Sequence, residues 1–329
     1  MMANLPQKTK QKKHYARWIV LAVCVVAAAT IVLNRAWIYD WYRGISYQPT
    51  AEMTEIRNKL ELTGRGEFVF GAAQPELNTA TDFNANCRQD ESEMAVLGCY
   101  TEGDIYIYNI TDAQLSGIRE LTTAHELLHA VWARMSEAEQ VELTEPLTRV
   151  FENNQDLLEQ EIVTYDIKER QEELYVRAGT EIRNLPDALE KHYAEIFEKR
   201  SRIVDFYESY ITVFREIKDR MEVLKAEMEA LNSNISEKTE EYNRLANQLE
   251  ADIVSFNSCA EVAGCFKSED DFNIRRGALV GRQAELELLN DEINQLIDEY
   301  NTRVDEYNAD VTESRKLQDM INSNSKVEL

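Results

Sequence analysis

Thr122-Thr123-Ala124-His125-Glu126-Leu127-Leu128-His129-Ala130 is the stretch that sets the fold and the chemistry of the central region. Its two histidines, His125 and His129, are four residues apart. On a helix this spacing places both imidazoles on one face, where they can bind a single metal ion. Leu127 and Leu128 lie between them and favour a helix that is buried in a core. The stretch therefore predicts a buried helix with a metal-binding face.

Glu126 completes an HExxH pattern, which is typical of zinc-dependent hydrolysis. Zinc lowers the pKa of a bound water towards 7, and a neighbouring glutamate can take the proton that this water loses. We therefore expect Zn²⁺ as the cofactor, His125 and His129 as ligands, and Glu126 as the general base. The alternative is a core helix with two structural histidines, each of which would need its own hydrogen-bond partner.

The motif TAHELLHAVW resembles the active-site helix of the zincin metallopeptidases, and it does so over this helix more closely than over the flanking regions. In the metzincin branch the motif continues with a glycine and a third histidine. Trp132 occupies that glycine position here, so this branch does not fit. The resemblance to the gluzincin branch, in a membrane-anchored bacterial form, implies a third ligand from a glutamate on a later helix.

Residues 156–177 form the predicted helix that would supply this glutamate. Glu173 and Glu169 fall on its apolar face, whereas Glu172 points to one side and should be solvated. A carboxylate on a buried face needs a cation or a metal ion, so Glu173 is our predicted third ligand. The alternative is that Glu169 or Glu173 pairs with a nearby arginine. The apolar face consists of Leu158, Ile162, Tyr165 and Val176.

Two further residues remain candidates for the third ligand. Glu181 follows Glu173 by eight residues, and the segment from Glu173 to Pro186 looks like the one that follows the motif in some anchored zincin-like proteins. His192 is the other candidate, although a histidine in such a position more often packs against a neighbouring helix. The third ligand is thus open among Glu173, Glu169, Glu181 and His192.

The first 42 residues have the pattern of a membrane anchor. Residues 1–17 are basic, and residues 18–33 are apolar apart from one threonine. With the flanking aromatics we expect a transmembrane helix over 18–42. The positive-inside rule then places the N-terminus in the cytoplasm and the body outside. A cleaved signal peptide is the alternative, but its small-x-small site would lie within the apolar run.

The charge of the chain limits its partners. There are 60 acidic against 36 basic residues, for a formal net charge of −24. Recognition of phosphates needs a concentrated positive field, so we exclude nucleic acid as a partner.

Four of the five cysteines form two close pairs, Cys87 with Cys99 and Cys259 with Cys265. Paired cysteines in an exported body predict disulfides.

Residues 45–200 read as a compact α+β unit of zincin type, mostly helical. Residues 67–70 are a short strand candidate, and residues 104–110 alternate cleanly as a strand. Ile105 and Ile107 of the second strand could line the edge along which an extended substrate lies. Ser136, followed by Glu139, has the form of a capping box and should start a helix.

Residues 201–325 show a coiled-coil pattern in two series of apolar residues at steps of three and four. A segment with cysteines and glycines, 255–282, separates the series. The simplest arrangement is an antiparallel helical hairpin with its tip in that segment. Either arm could instead pair with another chain, so a homo-oligomer or an envelope partner is possible.

Taken together, the sequence predicts a membrane-anchored zinc peptidase that hydrolyses peptide bonds of peptide or protein substrates outside the cytoplasm. The alternative function is a non-catalytic envelope scaffold or adaptor, in which the coiled coil recruits partners and the metal site is structural or vestigial.

Overall fold

A computed structural model describes residues 11–87, 96–162 and 167–323. In this part the chain is mostly helical and carries one three-stranded sheet, so the expected α+β class is confirmed. The chain divides into two units. One contains the chain up to residue 211 together with residues from 319 onwards, and the other contains residues 212–318.

Two helices open the described chain, α1 (Gln11–Leu33) and α2 (Arg35–Ser46). They are bent by 70° at Asn34, so the one helix expected over 18–42 is not observed. In the described residues no helix by itself has the length and apolar character needed to cross a membrane, although this bent pair meets that test together.

The next two helices are α3 (Ala51–Leu60) and α4 (Gly64–Ala73). The prediction of a strand at residues 67–70 is wrong, because these residues lie within α4. The hydroxyl of Thr63 accepts a hydrogen bond from the backbone N–H of Gly66 and caps this helix. A cap of this kind satisfies one of the free N–H groups at a helix start, so it favours a helix over a strand here.

The sheet contains β1 (Glu76–Asn78), β2 (Gly98–Thr101) and β3 (Asp104–Tyr108), with the short helix α5 (Ala80–Asn86) after β1. The predicted strand at 104–110 is therefore confirmed as β3. Its strand order is β1-β3-β2, with β1 parallel and β2 antiparallel to β3. The expectation that the strand of Ile105 and Ile107 offers an edge to a substrate is wrong, because β3 is paired on both sides.

Helix α6 (Ile118–Trp132) carries the HExxH motif through the core. Leu127 and Leu128 are fully buried, as the sequence predicts. The helix contacts β2 and β3 with one part of its surface and a later helix, α9 (Ile167–Glu181), with another. The motif is therefore packed between the sheet and a layer of helices.

That helical layer follows directly along the chain. Ser136 and Glu139 form the predicted capping box at the start of the next helix. The third of the layer's helices ends at Glu181, and the fourth begins directly after Pro186. The four helices are α7 (Glu137–Asn153), α8 (Gln155–Ile162), α9 (Ile167–Glu181) and α10 (Asp187–Tyr193).

Two long helices, α11 (Arg200–Ala260) and α12 (Glu269–Ile321), form the second unit between residues 212 and 318. Ion pairs join them from Arg303 to Glu227 at 2.7 Å and from Lys238 to Glu292 at 2.8 Å. The residue numbers rise along one helix as they fall along the other, so the hairpin is antiparallel, as predicted. This arrangement is compatible with a coiled coil.

Both predicted disulfides are present. Cys87 is bonded to Cys99, the second residue of β2, and Cys259 is bonded to Cys265 at the tip of the hairpin. The first disulfide ties β2 to the end of α5. The fifth cysteine, Cys24, is free and exposed.

Candidate metal centre

The two motif histidines lie side by side on α6. Their ring centroids are 5.2 Å apart, and both side chains are about four-fifths buried, with exposed fractions of 22% for His125 and 19% for His129. One turn of helix separates them, so their rings share a face, as the spacing predicts. Both face α9 rather than the sheet, since the nearest carboxylates come from that helix.

Glu173 brings the third donor from α9. Its carboxylate oxygens lie 3.9 Å from His125 Nε2 and 3.5 Å from His129 Nε2, and its side chain is only 6% exposed. One ligand atom from each of the three residues lies within 4.8 Å of the other two. A tetrahedral zinc site, with bonds of about 2.0–2.2 Å, places its ligand atoms roughly 3.4 Å apart. The structure thus brings Glu173 to both histidines, in a group that could hold a metal ion.

The contact between α6 and α9 explains why Glu173 reaches the histidines. Val176 and Leu128 are fully buried, and the rings of Trp132 and Tyr175 lie 5.0 Å apart. The contact between Trp132 and Tyr175 lies two to three residues beyond His129 and Glu173 along the two helices. It holds the polar groups at the edge of the core, where a cation can balance them. Leu158 and Ile162 of the predicted apolar face are also buried, whereas Tyr165 lies outside the described residues.

Glu172 also belongs to the site, and the expectation that it is solvated is wrong. Its Oε1 lies 2.8 Å from His129 Nδ1, and its side chain is 33% exposed. A carboxylate on the second ring nitrogen is a common partner of metal-binding histidines, because it selects the tautomer and holds the ring. Around the axis of α9, Glu172 lies 100° away from Glu173. His129 of α6 lies against that side of α9, so Glu172 contacts His129 instead of solvent alone.

The charges around the histidines separate their pKa values. Burial lowers the pKa of His125 to about 3, despite the opposing effect of Glu173. Burial also acts to lower the pKa of His129, but hydrogen bonds to Glu172 and Glu173 outweigh it and raise that pKa to about 10. For Glu173, burial alone would raise the pKa, yet the hydrogen bond from His129 and nearby positive charges hold it well below its usual range.

Arg177 shares the carboxylate of Glu173. Its Nε donates a hydrogen bond of 2.6 Å to Glu173 Oε1, and its Nη1 donates one of 3.2 Å to Glu181. The alternative that Glu173 pairs with an arginine is therefore also observed. Both contacts are compatible with metal binding, because an ionised carboxylate has about four acceptor positions on its two oxygens.

Glu126 lies beside the group of His125, His129 and Glu173 and packs under the sheet. Its side chain is nearly buried and accepts a hydrogen bond from the backbone of Tyr100 in β2. Burial raises the pKa of Glu126 to about 7, since it disfavours the charged carboxylate. A methyl group on Gly98 of β2 would lie only 2.8 Å from Glu126 Oε1. Sequence patterns did not reveal β2, so its contacts with Glu126 were not foreseen.

The other candidate ligands lie elsewhere. Glu169 is exposed on α9, which corrects its expected place on the buried face. Glu181 hydrogen-bonds to Arg177, and His192 Nε2 lies 3.1 Å from the hydroxyl of Tyr175. His192 thus packs between helices, as histidines in such positions usually do. Among the described residues, the group that could hold a metal ion is His125, His129 and Glu173.

Comparisons of this chain with protein-family models, with curated proteins and with solved structures gave no match. Two imidazoles and a carboxylate form the donor set, and a buried glutamate lies next to it. This arrangement fits a divalent transition metal.

Proposed function

We propose that this chain is a zinc-dependent peptidase in which His125, His129 and Glu173 hold the metal and Glu126 is the general base. The observation that carries the proposal is the convergence of the three donors within 4.8 Å of one another. Nitrogen and carboxylate oxygen donors in this combination suit zinc. The resemblance of the motif to the gluzincins supports the same assignment.

Three protein donors favour a catalytic site over a structural one. Structural zinc sites are usually closed by four protein ligands, whereas catalytic sites keep one position for water or substrate. Glu172 contacts His129 at Nδ1, and Arg177 contacts Glu173 at Oε1, so both hold the donors in place. Such outer contacts tune metal affinity without filling the coordination sphere.

Zinc in this site would acidify a water molecule and polarise the carbonyl of a peptide bond. The chain's own contribution to proton transfer comes from Glu126. A pKa of about 7 lets its carboxylate accept a proton from water near neutral pH. The same oxygen can then pass that proton to the nitrogen of the departing amine. The buried setting of Glu126 under β2 keeps this carboxylate in one orientation.

Strand β2 is the element that we propose as the substrate platform. It is an edge strand of the sheet and lies directly against Glu126. An extended peptide could add to such an edge through backbone hydrogen bonds, with its scissile bond close to the metal. This assignment replaces the paired strand β3, which the sequence pattern favoured.

The proposed setting is the outer face of a cell membrane, with residues 1–17 in the cytoplasm. The apolar run at 18–33 and its basic flank support this topology. The disulfides from Cys87 to Cys99 and from Cys259 to Cys265 fit an oxidising compartment. Peptides or proteins of the cell envelope are the substrate class that this topology favours, and the helical hairpin is a surface for an envelope partner or a second copy.

Substitution of Glu126 by Gln in the full chain tests the proposal. Zinc content is measured by mass spectrometry of the metal, and cleavage is measured with a random peptide library whose products are sequenced. We expect zinc in both proteins, with cleavage by the wild type alone. Exchange of the exposed Glu169 for Gln is the matched control and should change neither readout. Equal cleavage by the Glu126→Gln variant, or zinc-loaded wild type without cleavage, would exclude the peptidase.

A further inference from the structure

Helix α2 turns polar side chains towards the protein and apolar side chains outwards, the reverse of an ordinary surface helix. Two of its polar residues in the middle of the helix, Asp40 and Arg43, face the protein and are at least partly buried. On the opposite side the large apolar and aromatic side chains face outwards. Surface helices of soluble domains normally bury the apolar face and expose the polar one. The outward face comprises Ile38, Trp41, Tyr42 and Ile45, with exposed fractions of 37%, 48%, 63% and 62%.

The polar face of α2 is attached firmly to the unit that holds the metal site. Asp40 accepts hydrogen bonds of 2.9 and 3.1 Å from Arg134, just after α6, and Arg43 donates one to Asp104 at the start of β3. At Gly44 the backbone of α2 approaches Gly71 of α4 closely. A methyl group on Gly71 would lie 3.2 Å from the Cα of Gly44. The apolar face is therefore held outwards rather than left to rotate.

We propose that this outward face of α2 lies in the headgroup region of a lipid bilayer, roughly parallel to the membrane plane. Three observations identify lipid as the occupant. The face contains Trp and Tyr, which are enriched at membrane interfaces, together with apolar Ile. It continues directly from α1, in which the apolar side chains of residues 18–33 are exposed. The bend of 70° between the two helices turns α2 towards the membrane plane if α1 follows the membrane normal.

Charge complementarity does not drive this contact, since the chain has a net charge of −24. Insertion of aromatic and aliphatic side chains does, as for other interfacial helices that are buried about 5–10 Å into the headgroup boundary. The contact should therefore form on a neutral phosphatidylcholine bilayer. This distinguishes α2 from a basic helix that binds only anionic lipids.

The same attachment ties the metal site to the membrane surface. Arg134, which binds Asp40 of α2, also donates a hydrogen bond of 2.9 Å to the hydroxyl of Tyr100 in β2. The proposed substrate strand is thus held at a constant height above the lipid. For the peptidase this favours substrates whose cleavage site lies near the membrane, an implication that rests on the proposed function. The position of α2 itself does not depend on catalysis.

The depth of α2 in lipid is measured by spin labelling of the full chain in phosphatidylcholine vesicles. Exchange of Cys24 for Ala removes the free thiol, and single cysteines are then introduced as Ile38→Cys, Tyr42→Cys or Ile45→Cys. Collisions of each label with oxygen and with a water-soluble nickel chelate report its depth. Val141→Cys, on the exposed surface of α7, is the control for a label in water. Each labelled chain must melt at the temperature of the unlabelled one.

We expect all three α2 labels to lie at a shallow depth, within about 4 Å of each other for a helix bent by 70° from the membrane normal, whereas the control label meets the nickel chelate freely. A helix that continued the span would instead spread these labels over about 10 Å, at about 1.5 Å per residue. That spread would overturn the proposal. Nickel access equal to that of the control, or protection from both reagents by a protein partner, would also overturn it. None of these readings requires zinc or hydrolysis, so failure here is distinct from failure of the peptidase.

Discussion

Glu172 Oε1 lies 2.8 Å from Nδ1 of His129, while Nε2 of the same ring lies 3.5 Å from Glu173 Oε2. One imidazole is thus held between neighbouring carboxylates of α9. The first contact orients the ring, and the second brings Nε2 to Glu173, the third member of the candidate metal group. Each nitrogen therefore has its own role, and the two roles can be separated by substitution.

Replacement of Glu172 by Ala should weaken zinc binding by about 10- to 100-fold, because partners of this kind contribute that much to metal affinity. Glu172→Gln should lose less zinc affinity, since its amide oxygen still accepts a hydrogen bond from Nδ1–H of His129. Competition with a zinc chelator measures both values. Glu169→Ala, at an exposed position of the same helix, is the control and should bind zinc like the wild type. Unchanged zinc affinity in Glu172→Ala would show that Glu172 does not orient the ring of His129 for metal binding.

Glu173 and Glu181 form a matched pair, because both accept a hydrogen bond from Arg177. Glu173→Gln should lose most of the bound zinc, since it removes a charged donor of the metal group. Glu181→Gln should keep zinc, because it removes only an arginine contact. The zinc content of the purified proteins decides between them. Equal retention by both variants would contradict the assignment of Glu173, whereas loss in Glu181→Gln alone would exchange their roles.

Local patterns were enough to predict much of the site. His125 and His129 follow from the period of the helix, and Glu173 follows from a charged residue on an apolar face. Each of these two patterns belongs to a single helix, so the sequence of that helix shows it directly. Glu172 was missed because its role depends on where α6 crosses α9. That crossing is a tertiary property, which the projection of a single helix does not contain.

The strands were harder to predict than the helices for a similar reason. A short apolar run such as residues 67–70 suits a strand or a buried helix equally well, and the cap at Thr63 made it a helix. β1 and β2 have three and four residues, too few for a clear alternation. Consequently the sequence did not show that β3 is central or that β2 lies against Glu126.

Gly98 allows β2 to approach Glu126, the proposed general base. In Gly98→Ala the new methyl group would meet Thr122 at 2.6 Å and the Glu126 side chain at 2.7 Å, so strand or carboxylate must move. A displacement near 1 Å can reduce turnover by about 100-fold. We therefore expect a loss of peptide cleavage while zinc content is retained. Gly64→Ala is the control, because a methyl group there meets no atom within 4 Å. Unchanged cleavage in Gly98→Ala would show that the position of β2 does not matter.

Zinc binding should release about one proton near pH 8. Without metal, burial acts to lower the pKa of His129, but Glu172 and Glu173 raise it to about 10, so this ring is protonated at neutral pH. His125, with a pKa of about 3, already carries a free nitrogen. Zinc must displace the proton of His129, so affinity should rise about tenfold per pH unit from pH 7 to 9. Calorimetry in buffers of different ionisation enthalpy measures the release. In Glu172→Gln the slope should flatten, and a flat slope in the wild type would contradict the protonated ring.

The disulfide from Cys87 to Cys99 should contribute stability where the proposed substrate strand begins. Cys99 lies in β2, so the bond closes the loop that leads into this strand. In the chain-entropy model a loop of this size contributes about 3 kcal/mol to the free energy of unfolding. The double variant Cys87→Ala, Cys99→Ala should therefore unfold at lower denaturant concentration and cleave peptides more slowly. The matched double variant Cys259→Ala, Cys265→Ala removes the shorter loop of the hairpin tip and should leave cleavage unchanged. Equal cleavage by both double variants would show that β2 keeps its place against Glu126 without the covalent link.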